Sequence, residues 1–420
     1  MRKREIVDLI KVKMRKNKLT AGFYVAVKRV KKGTPYSEMS IRTVVPKKDE
    51  SLKQRYNLVL PVFQNERIFG GITTAIKIFL MLNENDSCDM RILVFGNETY
   101  NKQLTYHLDG FKHNNPQKGV YFLEENNVVD VRKNDIFVVT SWNTAYSFLK
   151  VFDWQVKEYE IKNRNILYLI QDFEPGFYAW SSEYVLADST YRSCADSMIA
   201  IFNSKELYYY FKDNKFSFKH EFFFNPSLNA TLKRILLSNL QQDRREKRIL
   251  VYGRQNAKRN LFGLLLDSLR IWSRDYEKAD EWEIISIGDV HETIKLAKNE
   301  VVSRGKLSLD DYGNIMLSSY VGVSLMASPH PSYPPLEMST FGVRTITNMF
   351  ANKDLSGFNE NIISINMCTP QYIASVLISL CEDYYSGYVS KPVRMESYLN
   401  DNSIESVVRN VKEVCNGSFS

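Results

Sequence analysis

Residues 248–272 read RILVYGRQNAKRNLFGLLLDSLRIW, in the order strand, turn, helix. An apolar run at 248–252 stops at Gly253-Arg254, and a helix is expected from about 257 to 272. Arg254 closes the strand, and Lys258 falls just inside the expected helix. A cation on each side of a strand-to-helix turn, added to the helix N-terminus, suits a diphosphate. The same pair also fits a solvated turn.

The alternation extends in both directions. Downstream, strands are expected at 284–287, 321–326, 343–347 and 362–365, with helices at 309–319, from about 336 and from 371. Upstream, strands are expected at 57–63, 91–95, 136–140, 166–170 and 198–202. Ile72, Ala75, Ile76, Phe79 and Leu80 recur at helical spacing behind Gly70-Gly71. Short, near-continuous apolar runs are what parallel sheets buried on both faces require. A polar stretch at 225–247, ending QQDRREKR, marks a boundary. The expected organisation is a basic arm (1–50), a Rossmann-like domain (51–230), a second Rossmann-like domain (245–385) and a helical tail (386–420). Two such α/β domains meet across a cleft, and open sheets bind ligands at the carboxyl ends of their strands.

Composition bounds the rest. Among 420 residues, 44% are hydrophobic and 25% charged, ordinary globular values that exclude a largely disordered chain. No apolar run approaches the ~18 residues a membrane-spanning helix needs. The charged stretch MRKREIVDLIKVKMRKNK lacks the apolar core of a secretory signal. Five scattered cysteines with no CxxC pair read as reduced thiols of a cytoplasmic protein. Residues 1–50 hold fifteen Lys+Arg against five Asp+Glu, so the formal +8 of the chain resides in that arm. Such an arm serves either as a solvated extension or as a contact to an anionic membrane surface, which would put the protein at the inner face of the cell membrane. Nucleic acid is disfavoured as a partner, because no zinc-finger, RNP or helix-turn-helix signature accompanies the basic residues.

Missing motifs narrow the chemistry. No GxGxxG follows a strand, and no Walker loop, HExxH, Asp-x-Asp pair or GxSxG elbow is present. No cofactor and no metal are therefore expected. A second informative stretch is SPHPSYPPLEM, residues 328–338, followed by Phe341-Gly342-Val343. It reads as a strand end, a loop stiffened by proline and a helix start bearing Glu337. Taken alone, the prolines fit a rigid connector and Glu337 fits a helix-dipole partner.

GRQNAK, then SRGKLSLDDYGNIMLSSYVGVSLMASP, then PPLEMSTFGVRTI resemble in order and spacing the donor domain of the family 4 glycosyltransferases, which have the GT-B fold. The resemblance covers roughly residues 247–350. It implies that Gly253, Arg254 and Lys258 hold the donor diphosphate, with Arg254 and Lys258 catalytic as well. It further implies that Glu337 takes a nucleoside sugar hydroxyl and that the segment from Gly305 through Lys306 and Leu307 faces the base. Ser332, Tyr333 and Pro334 would line the diphosphate and donor sugar. The family pattern places an acid eight residues before Glu337, where this chain has Pro329. That departure, with the SPHPSYPPLEM loop, is similar to the rhamnosyltransferase branch, which takes dTDP-L-rhamnose and includes S-layer-glycan enzymes.

The first half carries the acceptor side. Gly70 and Gly71 fit either a plain turn or a loop whose backbone approaches the donor phosphate and acceptor. Residues 170–180, IQDFEPGFYAW, place Asp172 and Glu174 among aromatics directly after a buried strand. This is a sugar-binding composition, with Asp172 and Glu174 as catalytic candidates, or else a polar capping loop. As a solvent-facing loop it should accept Asp172→Asn and Glu174→Gln with little change in stability. Ser141-Trp142-Asn143 ends another strand and lines the same cleft on this reading. The expectation is a metal-independent rhamnosyltransferase, retaining as the resemblance implies, with inversion through Asp172 or Glu174 as general base the alternative. It would act on a sugar hydroxyl of a growing surface glycan, with a lipid-linked acceptor among its partners. The alternatives are a GT-B enzyme using a UDP- or GDP-sugar, and a non-catalytic glycan- or membrane-binding protein.

Overall fold

The computed structural model describes residues 41–417 apart from 62–69, 84–87, 97–110, 114, 116, 124–126 and 243–244. Most of the basic arm thus lies outside the described residues. Within it, β1 (Val44–Asp49) forms a small parallel pair with β6 (Asn127–Arg132).

The first large sheet contains β2 (Arg55–Leu60), β3 (Asp89–Phe95), β4 (Lys112–His113), β5 (Lys118–Leu123), β7 (Asp135–Val139), β8 (Ile166–Ile170), β9 (Met198–Phe202) and β10 (His220–Phe223). Its order is β10-β9-β8-β7-β2-β3-β5-β4, parallel throughout. Helices α1 (Gly70–Leu82), α2 (Trp142–Glu158), α3 (Ser182–Arg192) and α4 (Lys205–Asp213) accompany it. Every residue of β7, β8 and β9 is buried, because helices cover both faces of a parallel sheet and leave no strand a wet side. At the amino ends of the strands, Arg55 grips Asp135 through two 2.7 Å bonds and Arg132 reaches Asp89 at 2.6 Å. The forked first pair and the single bond of the second satisfy buried charges at the edge remote from the site.

The linker carries α5 (Ala230–Ser238), whose Leu232, Ile235 and Leu236 join a core cluster of the second domain. The second sheet has β11 (Glu246–Gly253), β12 (Glu283–Gly288), β13 (Ile294–Lys295), β14 (Glu300–Gly305), β15 (Ser319–Val323), β16 (Arg344–Asn348) and β17 (Ile362–Ile365). Its order is β13-β14-β12-β11-β15-β16-β17, with only β13 antiparallel. Without that edge strand it is the doubly wound 3-2-1-4-5-6 order, which reverses between β11 and β15. In the first sheet the order reverses between β2 and β7. Helices α6 (Phe262–Asp275), α7 (Leu309–Ser318), α8 (Tyr333–Thr340), α9 (Pro370–Tyr385) and α10 (Glu396–Leu399) follow. The last helix, α11 (Ser403–Gly417), packs Val407, Val408, Val411 and Cys415 into the core of the first domain.

Three expectations change. The helix expected from about 257 starts at Phe262; Lys258–Asn260 form a 3₁₀ turn and Leu261 takes a left-handed φ of 52°. Lys258 therefore lies before the helix, not inside it. Gly70 and Gly71 are the first residues of α1, not a loop. Strands β1, β4, β5, β6, β10, β13 and β14 had no expected counterpart.

Candidate functional site

Both order reversals open on the same place. At the first sheet's reversal, the N-terminus of α1 follows β2, and Ser141-Trp142 follows β7. A Cβ on Gly71 would collide with the Gln171 carboxamide, so glycine permits the contact between α1 and the loop after β8. The Trp142 backbone N–H, at the start of α2, donates to the Glu174 carboxylate. The indole N–H of Trp142 donates to the Tyr178 hydroxyl at 2.9 Å. The predicted stretches Gly70-Gly71, Ser141–Asn143 and the Asp172–Glu174 loop thus gather at one edge.

The second sheet brings its own reversal against that edge. Gly253 ends β11 opposite Gly288 of β12, and a side chain there would strike Ser286 Oγ. Arg254 follows, its Nε 3.6 Å from Asp289 Oδ1. Lys258 is exposed on the 3₁₀ turn. The neighbouring Arg259 turns inward instead. Its guanidinium lies 4.2 Å from the centre of the Phe177 ring, and its Nε is 3.3 Å from Asp172 Oδ2. Asp172 Oδ1 accepts the Phe173 N–H at 2.9 Å and the Ser328 hydroxyl. The two carboxyl-terminal edges are therefore joined by an Arg259–Asp172–Ser328 tie.

This corrects the picture of a solvent-facing acidic loop. Asp172 is 7% exposed and Pro175 is buried. Phe173 packs edge-on against Tyr210, Phe211 and Phe216 as part of the core, not as a sugar platform. Trp180 is 98% exposed and stacks on Tyr184. Burial pushes the Glu174 carboxyl up to about 8, helped by the Asp172 charge and opposed by the Trp142 N–H and Arg259.

Around the predicted base and sugar contacts, Gly305 ends β14, Lys306 is exposed, and Leu307, Tyr252 and Tyr312 each pack against the same core cluster. Ser332 holds a φ of 69° at the start of α8, with Tyr333 and Pro334 as its first residues. Glu337 sits one turn later. Burial pushes its carboxyl up to about 7, with the Tyr312 hydroxyl pulling the other way. The Glu337 charge also reaches Tyr252, Tyr333 and Tyr398. The structure places Arg254, Ser332, Tyr333 and Glu337 around the β11/β15 reversal.

Four residues escaped sequence reasoning. Arg259 follows Lys258 in the quoted motif and Ser328 opens the quoted loop, but nothing in the sequence pairs either with Asp172. His330, in that loop, is 5% exposed, and burial pushes its imidazole down to about 4. Lys353 is 1% exposed, donates to the Met326 carbonyl at 2.8 Å, and is pushed down by burial to about 8. Its surroundings, MFANKD, carry no motif that would have marked it.

Two doubly wound sheets with opposed carboxyl edges, and a nucleotide-type reversal in the second, define the GT-B fold of glycosyltransferases. The chain belongs to the WsaF family: residues 55–205 match the WsaF N-terminal domain and residues 247–378 the WsaF C-terminal domain. The O-antigen biosynthesis protein RfbC of Myxococcus xanthus is 28% identical over 221 residues, which are 51% of this chain and 15% of that protein. The chain thus spans a small part of that curated relative. Among solved structures, Anabaena Alr3699/HepE in complex with UDP-glucose shares 12% identity at a TM-score of 0.53, covering 87% of this chain and 95% of that one. The lipopolysaccharide outer core galactosyltransferase WaaB shares 10% identity at a TM-score of 0.52, covering 86% and 99%. At such identities the likeness is one of fold.

Proposed function

We propose that the protein is a metal-independent glycosyltransferase that moves L-rhamnose from dTDP-L-rhamnose to a sugar hydroxyl of a growing surface glycan, with retention of configuration. The observation that carries this reading is the opposition of two edges. Arg254 and Glu337 sit on the nucleotide-type reversal of the second sheet, and the Asp172–Glu174 loop of the first meets that domain at Arg259 and Ser328. The match to both WsaF domains and the Ser328–Met338 loop support the rhamnosyl donor. The relative named for O-antigen biosynthesis supports a surface polysaccharide as product.

Charge neutralisation of the diphosphate falls to Arg254 and Lys258. As the glycosidic bond breaks, negative charge grows on the leaving phosphate oxygen, and cations fixed beside it stabilise that change. An inverting reaction needs a free general base near the acceptor hydroxyl. Both Asp172 oxygens are engaged by Ser328, the Phe173 N–H and Arg259. Glu174, raised to about 8, is mostly protonated at neutral pH. Neither is a free base, which favours the front-face route, in which the leaving oxygen takes the acceptor proton. Among the described residues no helix is long and apolar enough to cross a membrane. The arm of residues 1–50 would bring the enzyme to anionic lipid and to a lipid-linked acceptor.

The test is a thermal-shift series with dTDP, UDP and GDP, followed by transfer assays with and without EDTA. Preferential stabilisation by dTDP and EDTA-insensitive transfer are expected. Preference for UDP or GDP would overturn the donor, and loss of transfer in EDTA would overturn metal independence.

A further inference from the structure

A hydrogen-bond donor buried in the loop before α8 has no acceptor within the fold. His330 Nδ1 lies 3.0 Å from the Ser332 backbone nitrogen, while Nε2 is buried and unpartnered. A backbone N–H can only donate, so Nδ1 is the bare nitrogen and the ring proton sits on Nε2. Burial keeps the ring neutral even though the Asp172 charge opposes it and Lys353 and Arg259 reinforce it. The tautomer is thereby fixed, and so is the donor.

The surroundings hold the ring still. The His330 backbone N–H donates to Ser328 Oγ at 3.0 Å, and Ser328 in turn donates to Asp172 of the other domain. The His330 and Tyr333 rings are 5.6 Å apart. Ser332 keeps a left-handed φ of 69°, a conformation a serine holds only when its surroundings require it. A buried N–H without an acceptor costs stability, and native structures keep few such groups, a catalytic or binding role being one reason for keeping one.

We propose that the Nε2–H of His330 donates to an oxygen of the sugar being transferred, and so takes part in choosing which sugar is accepted; this rests on the donor reading above. The position favours sugar over phosphate. The His330 ring has the Tyr333 ring, at the start of α8, 5.6 Å away and feels the Asp172 charge of the other domain, so it sits where the two carboxyl-terminal edges meet. A dianionic phosphate draws the cations Arg254 and Lys258, whereas a neutral, fixed N–H matches a neutral hydroxyl or ring oxygen. A site built around one such bond rejects sugars that leave it unmade.

Two substitutions separate this contact from the shape of the loop. In His330→Asn the side-chain oxygen occupies the Nδ1 position and still accepts from Ser332, but nothing replaces Nε2–H. In His330→Gln the amide reaches the Nε2 position and can donate. Calorimetric titrations of the full chain with dTDP and with dTDP-L-rhamnose read the two halves of the ligand separately. For His330→Asn, dTDP affinity should stay within about twofold of wild type. Its affinity for dTDP-L-rhamnose should fall about tenfold, the worth of one hydrogen bond, and His330→Gln should recover part of that loss. An Asn variant that loses affinity for both compounds equally, or for neither, would overturn the proposal. A wild-type protein that binds neither compound would overturn the donor reading and this inference with it.

Discussion

Replacing Asp172 by Asn places an amide N–H₂ opposite the Arg259 guanidinium, so that a donor faces a donor where a carboxylate now sits. The Asn carbonyl can keep the Phe173 N–H and the Ser328 hydroxyl, which meet Oδ1 in the native protein. What is lost is the contact at 3.3 Å between Oδ2 and Arg259. That contact is an ion pair without a hydrogen bond, and removing one partner of a fully buried pair costs ~3–5 kcal/mol. The Arg259 side chain is 28% exposed and that of Asp172 10%, so water recovers part of the loss and a net cost of ~1–2 kcal/mol remains. At ~2–4 °C per kcal/mol for a domain of this size, the melting temperature should fall by roughly 2–8 °C. Thermal unfolding of wild type, Asp172→Asn, Arg259→Gln and the double variant forms a cycle that isolates the pair. A coupling of ~1 kcal/mol is expected. If Asp172→Asn melts within about 1 °C of wild type and the coupling is below ~0.3 kcal/mol, the tie between the domains is not energetic and the reasoning fails.

Glu174 gives a pH prediction of definite sign. Its folded carboxyl sits at about 8 against 4.5 in the open chain, so its contribution is complete below pH 4.5 and is lost as pH rises toward 8. Relative to Glu174→Gln, which mimics the protonated form, the wild type should lose melting temperature from pH 5 to 8; parallel curves would refute this. In Tyr312→Phe the Glu337 carboxyl should rise further above its present value of about 7. The variant should then bind dTDP poorly at pH 6.5 and recover by pH 8.5, and an affinity ratio equal to the wild type's would count against Glu337 as a ligand. Arg254→Ala should weaken dTDP binding by roughly ten- to a hundredfold, with Arg254→Lys restoring only part because a point charge lacks the fork. In liposome sedimentation at low salt, anionic vesicles should retain the full chain better than a form lacking residues 1–50, and equal retention would remove the membrane from the proposal.

The sequence made the central strands legible for a physical reason. Residues 166–170 and 198–202 are unbroken apolar runs, and only a doubly covered sheet buries such runs on both faces. Strands β4, β6 and β13 are short or polar and lie at sheet edges or in the small pair with β1, so composition does not mark them. The start of α6 was misplaced because Leu261, an ordinary helix former, adopts the left-handed conformation that breaks the turn. Arg254 and Glu337 could be singled out because they lie in a local motif of fixed spacing. Arg259, Ser328, His330 and Lys353 are separated from Asp172 by most of a domain in sequence and gain meaning only once the two edges meet. The burial of the acidic loop was missed for the same reason, since packing against Trp142, Tyr210 and Ser328, all remote in sequence, leaves no trace in a five-residue composition.

The return of α11 to the first domain bears on how the protein is made. Val407, Val408, Val411 and Cys415 sit in one cluster with Ile78 and Phe79 of α1 and Leu58 of β2. The core begun by some of the earliest described residues is thus completed by some of the last. On the ribosome, the first domain must wait, with an apolar surface open, while the whole second domain is synthesised. The second domain has no such dependence. Chains truncated near residue 400 should therefore show a folded second sheet attached to a first domain that is still protease-sensitive and chaperone-bound, the reverse of the usual N-to-C order.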